Sequence, residues 1–306
     1  MADDDVTMRP VSLTSASVGT PSGLRDIAPA FDSFIVDHWG VLHDGYKPYP
    51  GAVECLEQLI AAGKRIAILS NAPRRVVDVV KRMTEIGIRP GLYHHVMSSG
   101  EESWQCLAKR EDAFYRALGR VVYHIGPPRD EGMLEELNLK RATGIDDAEF
   151  ILNTGPWGWE EKATLYEEVL QTGARRDVPM VCANPDLIVH HGGKIAICAG
   201  TLAQRYEALG GRVRWHGKPY PSVYMTCFDL LGAGIARERI LAIGDSLRTD
   251  IAGANGVGIK SLLITEGLHK EEFGRLADGD PSHAERFAAA IAEHGAPSYV
   301  MPRLVW

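Results

Sequence analysis

Short apolar runs alternate along most of this chain with stretches in which apolar residues recur every three or four positions. Phe34-Ile35-Val36, Ile66-Ala67-Ile68-Leu69 and Ile240-Leu241-Ala242-Ile243 are unbroken apolar runs of strand length. Such runs suit strands covered on both faces, as in a parallel sheet. Between the first two runs, Val53, Leu56, Leu59 and Ile60 fall at helical spacing, and Gly63 stands where a C-terminal cap belongs. After the second run, Pro73 fits a first helical position with Ser70 or Asn71 as its cap. Val76, Val77, Val80, Met83 and Ile86 then predict a buried helical stripe ended by Gly87. His94–Gly100 predicts a short third strand and a cap, followed by a helix around Trp104 and Leu107. Alternating strands and helices, with polar groups at strand ends, predict an α/β fold built on a doubly wound parallel sheet.

From about residue 102 the rhythm persists with different content. Arg120–Ile125, Phe150–Asn153 and Pro179–Ala183 are strand-like, and Met133–Leu137, Glu160–Thr172 and Leu202–Leu209 are helical. Ile188–Ala196 predicts a hairpin turning at Gly192-Gly193. This block has the size of a separate α/β module inserted into another. The expected division is a first module of residues 23–101 and 212–306, interrupted by 102–211. The first module resumes near Val213 and continues through the helix Val223–Leu231, the strands Ile240–Ile243 and Ser261–Ile264, and helical patches at Lys270–Leu276 and His283–Ala292. A last strand is expected at Tyr299-Val300. Residues 1–22, rich in Ser, Thr, Asp and Pro without a period, are expected to form a flexible arm.

Bulk properties narrow the function. The 306 residues fit one larger and one smaller domain, and 45% hydrophobic with 24% charged residues is ordinary for a globular protein. A net charge of -7 argues against a nucleic-acid partner. Five scattered cysteines without CxxC spacing suit a reducing cytoplasm. The acidic start Met1-Ala2-Asp3-Asp4-Asp5 is unlike a signal peptide, and no apolar run reaches the roughly 18 residues of a membrane span. A cytoplasmic protein is the expectation.

The chemistry concentrates at strand ends. Asp37 closes the first apolar run, Ser70 and Asn71 the second, and Asp245 and Asp250 follow the Ile240–Ile243 run. The carboxyl ends of such strands are where open α/β sheets bind ligands. Two carboxylates from separate strands suit one hard cation, and Mg²⁺ fits because it uses few protein carboxylates plus substrate phosphate. Ser70 or Asn71, with the helix behind them, supplies donors for phosphate oxygens. Lys218 adds the positive charge that offsets repulsion between Asp37 and a phosphate dianion. Together these are parts for phosphoryl transfer to a carboxylate. Each has a plainer reading: Asp37 a loop acid, Asp245 and Asp250 helix caps, Lys218 a surface lysine.

Four ordered segments carry a resemblance: Asp37-His38-Trp39-Gly40-Val41-Leu42, Leu69-Ser70-Asn71, Gly217-Lys218-Pro219, and Gly244-Asp245-Ser246-Leu247-Arg248-Thr249-Asp250. With Asn184-Pro185-Asp186 and Cys198-Ala199-Gly200 in the inserted block, the chain resembles the haloacid dehalogenase-like (HAD) hydrolase superfamily. The likeness is to its class IIA branch of NagD- and nitrophenylphosphatase-like proteins. The resemblance covers about residues 23–300 and implies a Rossmann-like core with an α/β cap inserted at 102–211. It implies that Asp37 is a nucleophile forming an aspartyl phosphate, that Ser70 binds the phosphoryl group and that Asn71 shapes its pocket. Lys218 would stabilise charge. Asp37, Asp245 and the Trp39 backbone carbonyl would hold Mg²⁺, with Asp250 as ligand or supporting partner. Asn184, Asp186, His190 and Trp157 are cap candidates for substrate contact.

One position departs from the pattern. The first motif of the family is Asp-x-Asp, whose second Asp protonates the leaving group and activates water, and here that position is Trp39. General acid–base help is worth about 10²–10⁴-fold. Three outcomes are open: turnover limited to good leaving groups; replacement by His43, His38 or a cap residue; or a phospholigand-binding protein that turns nothing over. The expected activity is an Mg²⁺-dependent phosphatase of a small, sugar-like phosphate, with the catalytically weak binder as the alternative. A phosphonate or dehalogenase-type hydrolase comes third. The expected partner is a small phosphorylated metabolite, with no nucleic acid, no membrane and a possible homodimer.

Overall fold

In the computed structural model, which describes residues 18–191, 194–273 and 281–306, the apolar runs become strands. In chain order these are β1 (Ser33–Val36), β2 (Arg65–Ser70), β3 (His95–Ser98), β4 (Val121–Ile125), β5 (Lys140–Arg141), β6 (Phe150–Asn153) and β7 (Met180–Cys182). There follow β8 (Ile188–His191), β9 (Lys194–Ile197), β10 (Val213–Trp215), β11 (Ile240–Gly244), β12 (Lys260–Ile264) and β13 (Tyr299–Met301). Six of them form one parallel sheet in the order β13-β12-β11-β1-β2-β3.

Alternation along β1 explains why this sheet needs helices on both sides. Phe34 and Val36 face a core shared with Leu56 and Leu59 of the helix Ala52–Ala61 and with Val79 and Met83 of the helix Val76–Glu85. Ile35 points the other way, into a core with Val223, Tyr224, Cys227 and Leu231 of the helix Pro221–Leu231. The chain steps outward from β1 to β2 to β3, then returns on the far side of β1 through β11. That reversal opens a crevice above the carboxyl ends of β1 and β11, the place where such sheets bind ligands.

The second sheet, β10-β7-β6-β4-β5, is also parallel, and β8-β9 is a separate antiparallel hairpin. The hairpin matches the expected one, while its Gly192-Gly193 turn lies outside the described residues.

Several expected elements differ. Val213–Trp215 joins the second sheet beside β7 instead of reopening the first; its half-buried apolar residues pack with Leu209 against that sheet's core. No helix starts at Pro73: Ala72–Arg75 forms a loop, and the helix begins at Val76. The buried face of this helix is Val79 and Met83, continued by Ile86, whereas Val77 is 70% exposed. Met133–Leu137 is not helical beyond a short 3₁₀ segment over Pro128–Leu134. The helix expected from Glu160 starts at Glu167, after a 3₁₀ turn at Ala163–Tyr166. The helix expected from Asp250 is preceded by a π-turn over Leu247–Ile251 and begins at Ala252. The expected arm lies outside the described residues up to 17, and its end is not free: Gly19 donates to Ser298 O (3.0 Å) and accepts from Val300 N (2.9 Å), extending the sheet beyond β13. Of the Lys270–Leu276 helix, Lys270–Phe273 is described.

Candidate active site

Sheet register brings the polar strand ends together. Val36 stands opposite Ile68 and Ile243, so the residues just past these positions converge. Asp37 follows directly, its N–H donating to Ile243 O (2.8 Å). Ser70 ends β2, and Asp245 follows β11. All are buried, as are Asn71, Lys218 and Asp250.

Lys218 reaches this point from the loop after β10. Its Nζ donates to Asp37 Oδ1 (2.5 Å) and Leu69 O (3.1 Å) and sits 2.8 Å from Asp250 Oδ1. The loop itself is fastened by buried Glu102, which accepts from Gly217 N (2.9 Å). Gly217 has a φ of +89°, and a Cβ there would lie 2.5 Å from Asn71 Oδ1. Glycine is therefore required both by the backbone turn and by the approach of Asn71.

Asp37, Asp245 and Asp250 offer carboxylate oxygens within 4.8 Å of one another. Three carboxylates against one ammonium leave two uncompensated negative charges when all are ionised. The carboxyl groups respond as expected. Burial pushes Asp37 up to about 7, against the pull of Lys218. Burial, with Asp37 and Asp250 beside it, holds Asp245 well above the usual range. Burial works against the Lys218 charge, but Asp250 and Asp37 outweigh it and keep the ammonium protonated. A hard, all-oxygen donor set with two unbalanced charges fits a divalent cation. Gly40 serves the same cluster: its φ is +82°, and a Cβ would stand 1.8 Å from Asp245 Oδ2.

Asn71 has a different place from the one sequence suggests. Its Nδ2 donates to Asp186 Oδ1 (2.8 Å) and Lys218 O (3.2 Å), and its Oδ1 accepts from Lys218 N (2.8 Å). The amide is thus committed to joining three chain segments, which leaves the hydroxyl of Ser70 as the polar group of this strand end facing the crevice.

The crevice is a cavity of about 390 Å³. Asp37, Trp39, Ser70, Asn71, Lys218, Asp245 and Asp250 line it from the six-stranded sheet. Asn184, Asp186, Trp159, Ile188 and Val189 line it from the other side. Trp157 is not among the lining: its ring packs 4.5 Å from that of Tyr166, and its backbone N–H donates to Tyr166 Oη (2.6 Å). Trp159 lines the cavity in place of Trp157, its ring under the Arg129 guanidinium at 4.3 Å. The His190 side chain lies outside what is described. The Trp39 indole lies against Gly45, where a Cβ would meet it at 2.6 Å, and edge-on to His43 at 5.4 Å.

Sequence reasoning missed Glu102 and Arg248. Arg248 donates to Pro185 O (2.6 Å), linking the π-turn to the Asn184-Pro185-Asp186 segment. A signal was present in each case. Glu102 is an acid on a helix with apolar neighbours, and Arg248 lies inside a motif already singled out.

Comparison with known proteins is consistent with this arrangement. Residues 34–140 match the model of the haloacid dehalogenase-like hydrolase family, and residues 215–298 a second model described as HAD-hydrolase-like. A solved haloacid dehalogenase-like hydrolase from Brucella suis is 30% identical, with a TM-score of 0.80 over 93% of this chain and 100% of that one. The D-glycerol 3-phosphate phosphatase of Mycobacterium tuberculosis is 26% identical over 253 residues, 80% of this chain and 66% of the relative. The chain thus spans just under two thirds of that protein's length. The ribonucleotide monophosphatase NagD of Escherichia coli is 26% identical over 245 residues, 76% of this chain and 87% of that one.

Proposed function

The chain belongs to the haloacid dehalogenase-like hydrolase family, and we propose that it is an Mg²⁺-dependent phosphatase of a small, sugar-like phosphate monoester that works through an aspartyl phosphate on Asp37. The observation that carries this reading is the buried Asp37–Lys218 contact at a strand end shared with Ser70, Asp245 and Asp250. The names of the mycobacterial and E. coli relatives, both phosphatases of small phosphorylated compounds, support the substrate class.

Asp37, Asp245, the Trp39 carbonyl and Asp250, as ligand or supporting partner, would hold Mg²⁺, which supplies charge neutralisation to a phosphoryl group in flight. Asp37 attacks phosphorus, and the ester oxygen departs as the Asp37–phosphoryl bond forms. Lys218 offsets the repulsion between that carboxylate and the incoming dianion. The Ser70 hydroxyl donates to a phosphoryl oxygen. Water then cleaves the acyl phosphate and restores Asp37. Residues 23–101 and 212–306, with β10 reassigned, act as the core, and 102–211 as a cap that excludes bulk water during attack. Asn184, Asp186 and Trp159 are the cap residues placed to touch the substrate.

Trp39 favours a second reading of efficiency. An indole packed on Gly45 and His43 cannot protonate a leaving group, so turnover falls as the leaving group becomes more basic, and for poor leaving groups the protein becomes a weak catalyst that binds phosphorylated ligands. The test is Mg²⁺-dependent turnover on phosphates of graded leaving-group pKa, with Asp37→Asn and Trp39→Asp alongside. Aryl phosphates should turn over faster than alkyl ones by about 10²–10⁴-fold beyond the intrinsic difference, and Trp39→Asp should narrow the gap. Equal rates in wild type and Asp37→Asn would remove Asp37 as the nucleophile.

A further inference from the structure

Three hydrogen bonds run in series beneath Ser70. Gly45 N lies 2.9 Å from His43 Nδ1, His43 Nε2 lies 2.7 Å from His38 Nδ1, and His38 Nε2 lies 2.5 Å from Ser70 Oγ. His38 is 8% exposed, and His43 and Ser70 are 2% exposed each. A backbone N–H only donates, so the Gly45 peptide requires a lone pair on His43 Nδ1. His43 is then the neutral Nε2–H form and donates to His38 Nδ1. His38 in turn must be the Nε2–H form and must donate to Ser70 Oγ. The reverse direction, with Ser70 donating to His38, would put an N–H on His43 Nδ1 facing the N–H of Gly45.

Ser70 Oγ also accepts from Ala72 N (2.9 Å). Its two lone pairs are therefore filled, and its hydrogen has no acceptor among the described residues. Ser70 lines the cavity, and the free hydrogen is left for whatever enters.

We propose that Gly45, His43 and His38 form a one-way hydrogen-bond relay that fixes the Ser70 hydroxyl as a pure donor, making His38 and His43 positioning residues for a fully deprotonated phosphoryl oxygen. The same polarity rules out Ser70 as a nucleophile activated by His38, because His38 Nε2 carries the proton that a base would need to accept. Two neighbours guard the relay. Arg82 donates to Gly45 O (2.8 Å) and anchors, through the following peptide, the residue whose N–H heads the relay. The Trp39 indole covers Gly45 and His43, which gives the residue at the departed acid position a task of its own. The direction of the relay follows from geometry alone; its use for phosphate rests on the function proposed above.

Long-range ¹⁵N–¹H spectra of the histidine rings in the full chain at neutral pH, without substrate, test the direction. Assignment comes from His38→Gln and His43→Gln. Both rings should show a protonated Nε2 and an unprotonated Nδ1. A protonated Nδ1 on either ring, or averaging between tautomers, would overturn the proposal whether or not the protein is a phosphatase. Binding of inorganic phosphate, measured by calorimetry, tests the use. His43→Leu should weaken it about tenfold, the equivalent of one hydrogen bond. His38→Gln, whose amide restores a donor to Ser70, should stay within about twofold on the same scale. In a Ser70→Ala background, His43→Leu should change nothing further. Equal losses with and without Ser70 would mean that the histidines only support the fold, and would refute the relay's role. If phosphate binds as described but no ester is hydrolysed, the proposed function fails and the relay stands.

Discussion

Lys218→Met is the most informative single change, because the structure specifies both its size and its pH dependence. Lys218 is 3% exposed, and its ammonium lies 2.5 Å from Asp37 and 2.8 Å from Asp250. Methionine keeps most of the volume and removes the charge, so three clustered carboxylates lose their one cation. Breaking a buried pair from one side costs about 3–5 kcal/mol when the remaining charge stays ionised. Here the remaining groups have an escape: they take up protons. Burial already lifts Asp37 to about 7, and without Lys218 it rises further. Folded carboxyls with raised pKa hold protons that the unfolded chain releases, so stability falls as pH rises through the interval between the two values. Metal-free Lys218→Met should lose about 1 kcal/mol at pH near 5, where protonation relieves the charge, and about 3–5 kcal/mol at pH near 8. Urea unfolding at the two pH values gives the comparison. A loss that is the same at both, or below about 1 kcal/mol at the higher pH, would mean that the lysine does not balance these carboxylates.

Two other expectations follow from the same cluster. Metal-free wild type should lose thermal stability as pH rises from the ordinary carboxyl value of 3.8 through about 7, because folded Asp37 and Asp245 are both shifted upward. Mg²⁺ should therefore raise the Tm more at pH 8 than at pH 5, and equal shifts would contradict a carboxylate site. Gly40→Ala should cost about 1–2 kcal/mol of left-handed strain and at least tenfold in activity, since its Cβ would fall 1.8 Å from Asp245 Oδ2. Gly63→Ala is the control: φ is +70° with nothing within 4 Å of the new atom, so it should show the strain alone, and matching activity losses would refute the steric argument.

What could be read from sequence was what local pattern encodes. β1, β2 and β11 are unbroken apolar runs because helices cover both faces, and the polar residue ending each run is visible without coordinates. The π-turn over Leu247–Ile251 was less legible, since its start resembles any helix start. β10 escaped because a three-residue strand preceding a motif resembles the approach to that motif. The commitments of Asn71 were hidden for another reason: its partners Asp186 and Lys218 lie 115 and 147 residues away, and nothing local signals them. His38 and His43 are five residues apart in a segment already singled out, yet the direction of their hydrogen bonds depends on the Gly45 peptide and on Ser70, which only the fold supplies. Trp157 and Trp159 were indistinguishable by spacing; packing against Tyr166 decided which faces the cavity.

Asn71 ties the two sides of the crevice together mechanically. Its amide oxygen accepts from Lys218 N and its amide nitrogen donates to Lys218 O, and the same nitrogen donates to Asp186 across the crevice. Any motion that carries Asp186 away from the six-stranded sheet must break that bond, while the two bonds to Lys218 remain. The single bond therefore faces Asp186, and the pair of bonds faces the Lys218 segment. A hydrogen bond to a charged group contributes about 1.5–3 kcal/mol, enough to hold an open form to roughly one part in ten to one part in a hundred. The same side chain thus resists separation of Asp186 from the six-stranded sheet and keeps the lysine in register whether or not that bond is made.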